Sequence, residues 1–386
     1  MQGFEFATAS RIRFGRGAAA QAGKAAAELG RRAVVVCGSD ALRAETLLET
    51  LRAEGLEVYA QPIRGEPSFG AIRAALGAAR DFGVELVVGF GGGSAIDGAK
   101  ALAALLANPG DILDYAEVIG AGRPLSAPSL PCIAVPTTAG TGAEVTRNAV
   151  LLSEEQGVKV SLRSPTMLPR LAIVDPELCL GLPPEATAST GMDALTQLIE
   201  PFVSNRSNPL TDALCRDGLA RAARALPKAF ADGGDLGSRE DMSLASLFGG
   251  LALANARLGA VHGFAAPIGG AFRAPHGAVC AALLPAVTAV NLRALRERQS
   301  SSPVLARYAE AAALILGAET SVSPEAGAEA LALLVRRLGI RGLGAYGVGA
   351  EDFPGLIERA KAASSMQGNP IVLTDEELAE VLTLAL

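Results

Sequence analysis

Tryptophan is absent from this 386-residue chain, and histidine occurs only twice. Aromatics make up 4% of the residues, so the core must be built from Ala, Leu, Val and Ile, which favours closely packed helices. Basic residues form no run and the net charge is -6, which argues against nucleic acid as a partner. There is no C-x-x-C pair. Cys37, Cys132, Cys179, Cys215 and Cys280 are scattered and odd in number, as expected of reduced thiols in a cytoplasmic protein. The N-terminal stretch MQGFEFATASRIRFGRG has no continuous apolar core, so no secretory signal is expected there. An uninterrupted span of about 20 apolar residues is also missing. The nearest approach, Leu244 to Phe272, is broken by Asn255, Arg257, His262 and Pro267. It reads as a buried helix followed by a loop, and no membrane association is expected.

The first half alternates strand-like and helix-like runs. Ala33–Cys37, Leu56–Ala60, Leu86–Phe90 and Cys132–Val135 read as strands. Ala41–Glu54, Ser68–Phe82 and Ala95–Leu106 read as helices between them. This rhythm predicts a doubly wound parallel sheet. After about Leu182 the chain turns to Ala-, Leu- and Gly-rich helical stretches with no clear buried strand, and Pro183-Pro184 marks the change. We therefore expect an α/β domain over 1–182 and an all-helical domain over 183–386. The runs GDLGSREDM and RERQSSSP read as exposed loops.

Four stretches carry residues suited to chemistry. Gly89–Lys100 (GFGGGSAIDGAK) ends a strand and opens a helix. Gly91, Gly92 and Gly93 let backbone approach a phosphate, the helix N-terminus offers unpaired N–H groups, and Ser94 can donate a hydroxyl. The plainer alternative is a tight turn with Ser94 as N-cap. It is neither a Walker A loop nor a G-x-G-x-x-G fingerprint. Pro136–Thr146 (PTTAGTGAEVT) sets the hydroxyls of Thr137, Thr138 and Thr141 among glycines after another strand, which suits phosphate or ribose but also an ordinary turn. In Thr190–Glu200 (TGMDALTQLIE), Asp193 and Gln197 are four apart and share a helix face. Asp193 placed in a first turn could equally serve the helix dipole. Finally, Gly259–Pro285 holds both histidines, His262 and His276, each directly before a glycine. Imidazole is the commonest metal ligand, although an isolated histidine on an apolar face is more often a core residue.

Together these motifs, with DPELCLGLPP and SMQGNPIVLTDEEL, resemble the iron-containing (group III) alcohol dehydrogenases over essentially the whole chain. The resemblance implies a nucleotide-binding α/β domain, a helical domain and a cleft between them, an architecture broadly shared with dehydroquinate synthase. It implies NAD- or NADP-dependent interconversion of an alcohol and a carbonyl compound in a homodimer or larger assembly. It also implies a divalent metal, Fe²⁺ or Zn²⁺, held by an aspartate at Asp193 and by histidines at His262 and His276. A third histidine is expected where this chain has Gln197, so a site of reduced affinity follows, with an amide oxygen as the fourth donor. A further histidine that assists proton transfer is replaced by Ala266. The cofactor pyrophosphate falls on Gly91, Gly92, Gly93 and Ser94, with Asp97 in the same motif. Thr137, Thr138, Thr141 and Lys159 flank it. Gly38 stands where many NAD-preferring members carry an acidic residue, so Asp40 or Arg43 nearby leaves NAD and NADP both open. An apolar lining around Phe264 and Pro267 implies a substrate of modest polarity.

Two other readings stand beside this one. The first is a metal-independent reductase of an acidic substrate, resembling maleylacetate reductase, with His262 and His276 as hydrogen-bond donors. The second is a non-catalytic nucleotide-binding relative.

Overall fold

The structure, a computed structural model, describes residues 3–386. They fall into two compact units. One comprises 7–138 with 142–179; the other comprises 180–386 with 139–141 and 3–6.

The first unit is built on eight strands: β1 (Ile12–Phe14), β2 (Arg32–Cys37), β3 (Glu57–Pro62), β4 (Leu86–Gly91), β5 (Cys132–Pro136), β6 (Asn148–Ser153), β7 (Val158–Arg163) and β8 (Leu171–Val174). Six form a parallel sheet in the order β1-β8-β5-β4-β2-β3, and β6 and β7 form a separate antiparallel hairpin. β4 and β5 are buried along their whole length. Alternate residues of β2 and β4 feed two cores. Val34, Val36 and Val87 lie in one, while Ala33, Val35, Leu86, Val88 and Phe90 lie in the other. That is why these strands read as continuous apolar runs. The helices of this unit are α1 (Ala22–Ala27), α2 (Glu45–Ala53), α3 (Phe69–Phe82), α4 (Gly93–Ala107) and α5 (Ile112–Tyr115).

After β2 the chain runs outward to β3, then returns to the other side of β2 to form β4. The switch point of the sheet therefore lies between the C-terminal ends of β2 and β4. In such sheets the crevice outside those ends is where ligands bind.

The second unit is helical, with no strand among its described residues. Its helices are α6 (Pro184–Val203), α7 (Pro209–Ala231), α8 (Leu236–Ala256), α9 (Ala260–Phe272), α10 (His276–Arg298), α11 (Val304–Leu316), α12 (Pro324–Arg337), α13 (Phe353–Ala362) and α14 (Asp375–Ala385). Small residues let α6 and α7 pack closely: a Cβ on Gly218 would lie 2.5 Å from Leu198 Cδ2. By length and composition α10 could cross a membrane, but 78% of its apolar window is buried within the fold, as in a core helix.

Four local expectations are corrected. Asp193 is not in a first turn, because α6 begins nine residues earlier at Pro184. The run GDLGSREDM is not an exposed loop: Asp235 caps α8, and Arg239 is buried on the carbonyl of Gly233 and the hydroxyl of Thr187. The stretch after α8 is a second helix, α9, set at 101° to the first. Phe264 is fully buried and packs the core, so it offers no surface to a substrate.

Candidate active site

In the first unit, the glycine-rich stretch closes β4 and opens α4. Gly91 has φ +150°, and a Cβ there would stand 2.8 Å from Ala95 Cβ and 3.4 Å from the Gly38 nitrogen. The ends of β2 and β4 thus meet through glycine backbone. Thr137 donates its N–H to the Gly91 carbonyl at 2.9 Å and brings the end of β5 alongside. Thr138 lies over Gly92. The N-cap of α4 is Gly92, with no side chain closing the helix end. Ser94 therefore lies inside the first turn instead of capping it. The open amides of a 15-residue helix point out of the switch point, the arrangement that binds a phosphate group.

Two other side chains assigned to the cofactor are already engaged. Asp97 accepts from Val150 N–H at 3.0 Å and pairs with the fully buried Lys100 at 2.9 Å. Lys100 also donates to the Ala143 carbonyl and to Thr146 Oγ1, both at 2.9 Å. Asp97 thus fastens α4 to β6. Lys159 pairs with Glu66 at 2.9 Å. Thr141 belongs to the short piece that groups with the helical unit. There Gly140 lies so near Thr190 that a Cβ would stand 2.7 Å from that residue's Cβ.

In the helical unit, Asp193 and Gln197 sit on one buried face of α6. His262 lies in the first turn of α9, and His276 is the first residue of α10. The glycine after His276 has a packing reason. A Cβ on Gly277 would be 2.3 Å from the Ser189 carbonyl oxygen, so only glycine lets the start of α10 press on α6. His262 Nε2 lies 3.4 Å and His276 Nε2 lies 3.6 Å from Asp193 Oδ1. His262 and Asp193 are buried, while about a third of the His276 side chain (34%) is accessible.

Two residues that sequence reasoning passed over complete the cluster. Glu200, buried one turn beyond Gln197, faces His262 Nδ1 at 2.6 Å and accepts the Val261 N–H at 2.7 Å. One carboxylate thus caps α9 and holds the Nδ1 proton, leaving His262 Nε2 free as a lone-pair donor. Cys280, one turn after His276 on α10, places its Sγ 3.7 Å from His276 Nε2 and 3.9 Å from His262 Nε2. The signals were present in the sequence as helical spacings, 193-197-200 on α6 and 276-280 on α10.

Burial opposes a charged imidazole at His262, but Cys280, Glu200 and Asp193 around it outweigh that effect and hold its pKa well above the ordinary value. His276 is raised in the same way: burial opposes, and Cys280 and Asp193 prevail. Burial would raise Asp193, yet His276 and His262, together with the Gln197 amide, keep its pKa lowered. The Asp193 anion thus draws positive charge to the cluster, carried by the imidazole protons unless a metal cation displaces them.

The donor set fits a divalent metal. Asp193 Oδ1 and Gln197 Oε1 are buried without a hydrogen-bond partner, a costly state for a polar atom inside a protein. Ligand atoms of Asp193, His262, His276 and Cys280 all lie within 4.8 Å of one another. Donors held about 2.1 Å from a tetrahedral ion are roughly 3.4 Å apart, close to the separations seen here.

A sequence profile described as "Iron-containing alcohol dehydrogenase" matches residues 9–176, and one for the C-terminal part of the same family matches 187–386. The chain belongs to the iron-containing alcohol dehydrogenase family. It is 37% identical over 344 residues to alcohol dehydrogenase 4 of Saccharomyces cerevisiae, spanning 89% of this chain and 86% of that protein. It is 33% identical to the NAD-dependent methanol dehydrogenase of Bacillus methanolicus over 96% and 97% of the two chains. The crystal structure of a 1,3-propanediol oxidoreductase superposes over the full length of both chains, with TM-score 0.91 and 34% identity. This member of the family is thus an oxidoreductase that interconverts an alcohol and its carbonyl partner with a nicotinamide cofactor.

Proposed function

We propose that Asp193, His262 and His276 hold the divalent cation, Fe²⁺ or Zn²⁺. We propose further that Gly38, Gly91, Gly92, Gly93 and Ser94, with Thr137 and Thr138, seat the pyrophosphate of NAD or NADP. Thr141, Asp97 and Lys159 complete the cofactor set, with Asp97 acting by fixing α4. The observation that carries this reading is the unpaired, buried Asp193 Oδ1 facing two imidazole nitrogens at 3.4 and 3.6 Å. When bound, the metal supplies Lewis-acid polarisation of the substrate oxygen, and the nicotinamide gives or takes the hydride.

The chain's own part is positional. Glu200 keeps the His262 tautomer fixed, and the buried face of α6 keeps water from Asp193. Ala266 cannot carry a proton, so the proton exchanged in the reaction must travel through water, a ribose hydroxyl or a hydroxyl side chain. The substrate is a small alcohol or its carbonyl partner, in keeping with the methanol and 1,3-propanediol named for the relatives. The side chain of Asp40 caps the turn after β2 by accepting the Leu42 N–H, with Arg43 following, so a ribose hydroxyl and a 2′-phosphate both have a partner nearby. The five cysteines are buried and form no disulfide, which suits a reducing cytoplasm, and a homodimer or larger assembly rests on the family likeness.

The test is anaerobic oxidation of NADH and NADPH by a panel of short aldehydes and ketones, on chelator-stripped protein with and without added Fe²⁺ or Zn²⁺. Turnover that returns only with metal is expected. Full turnover without metal would sink the reading and make the two histidines donors to substrate.

A further inference from the structure

The position of Gln197 leaves the expected metal site one imidazole short, and the fold brings a different donor to it. Cys280 lies on α10 one turn beyond His276, fully buried. Its sulfur faces both imidazole nitrogens of the cluster, at 3.7 and 3.9 Å. These separations match about 3.6 Å, the spacing of a sulfur at 2.3 Å and a nitrogen at 2.1 Å around one tetrahedral ion. The Gln197 amide oxygen is buried without a hydrogen-bond partner, but a neutral amide oxygen is a weaker donor than a thiolate. The unpaired Asp193 Oδ1 is a second, independent sign that the group of atoms closes on a cation.

We propose that the Cys280 thiolate is the fourth protein donor of the metal site. The ligand set is then Asp193, His262, His276 and Cys280, with Gln197 serving as a positioning residue for Asp193. Thiolate is a softer donor than imidazole or an amide oxygen, so this set favours Zn²⁺ over Fe²⁺ in a family named for iron. The inference rests on the metal reading above and changes which residue completes it.

The experiment loads the stripped, full-length protein anaerobically with one equivalent of Co²⁺ and records its absorption, for wild type, Cys280→Ser and Gln197→Ala. Wild type should show a near-ultraviolet thiolate-to-cobalt charge-transfer band. Cys280→Ser should still take up Co²⁺ without that band, and its Zn²⁺ affinity in chelator competition should fall about 10–100-fold, the size of effect seen when a metal site loses a supporting group. Gln197→Ala should keep the band. X-ray absorption of the zinc-loaded wild type should show a sulfur neighbour at about 2.3 Å, a readout that stands even if Cys280→Ser fails to fold. Bound Co²⁺ without the band in wild type, or zinc without a sulfur neighbour, overturns the role of Cys280 and leaves the metal reading intact. So does a Gln197→Ala protein that loses metal while Cys280→Ser keeps it. A wild-type protein that takes up no metal at all overturns both.

Discussion

Glu200 must accept two hydrogen bonds at once, one from the Val261 N–H and one from His262 Nδ1. Glutamine offers one acceptor and one donor, so Glu200→Gln sets a donor against a donor. We expect metal affinity to fall about 10–100-fold in chelator competition, with a stability loss of roughly 1–3 kcal/mol. Unchanged affinity would mean that packing alone orients His262. A second residue-scale prediction concerns Glu144, which is buried and, by desolvation above all, has its pKa raised to about 7 from 4.5. Below pH 4.5 both folded and unfolded chains carry this proton; between there and 7 only the folded chain keeps it. Its contribution to stability is therefore full at low pH and lost as pH rises through about 7, a loss of roughly 3 kcal/mol. Glu144→Gln should flatten this decline, read as denaturation midpoints at about pH 5 and pH 8; an identical slope in both proteins would exclude the effect. At this scale the sequence showed that Asp193, His262 and His276 were worth attention, because rare or charged residues stand out in apolar surroundings. It did not show Cys280 or Glu200 as partners, since their roles depend on which helix faces meet.

The glycines between β4 and α4 do different jobs, and substitution should separate them. Gly91 has positive φ and no room for a Cβ, so Gly91→Ala should destabilise the fold by about 1–3 kcal/mol. Gly92 has φ -74°, and a Cβ there would make only ordinary contact with Thr138 at 3.4 Å. Gly92→Ala should therefore leave thermal stability within about 0.5 kcal/mol while weakening NAD(P)H binding about tenfold, as read by nucleotide fluorescence titration. Tight binding by that variant would argue against the pyrophosphate lying on this turn. The strands buried on both faces were legible as unbroken apolar runs, and the helices after them by their periodicity. The β6–β7 hairpin and the four-residue β8 were not. The hairpin alternates buried and partly exposed residues, and β8 is too short to rise above its flanking loops. The start of α8 was misread because a charged run looks solvated, whereas Arg239 satisfies itself on buried carbonyl and hydroxyl oxygens.

At the scale of the whole molecule, the glycine-rich turn after β4 and the cluster of Asp193, His262 and His276 belong to different compact units. Removing metal should leave nucleotide binding in place: chelated protein should still bind NAD(P)H, while added Zn²⁺ at about 100 times its dissociation constant should stabilise the chain by roughly 2.7 kcal/mol. Loss of nucleotide binding on chelation would show that the two are coupled. The sequence by itself determined the fold class and the family, because apolar periodicity, glycine-rich turns and ordered motifs are local properties of the chain. It determined the kind of chemistry too, through residues that are scarce elsewhere. Only the tertiary structure decided which donors converge. Asp193, His262, His276 and Cys280 come from three helices, and their separations of a few ångström depend on the close approach of α10 to α6 at Gly277. Helical spacing can place two donors on one face of one helix. Bringing donors from different helices around one point is a matter of long-range packing, which spacing does not encode.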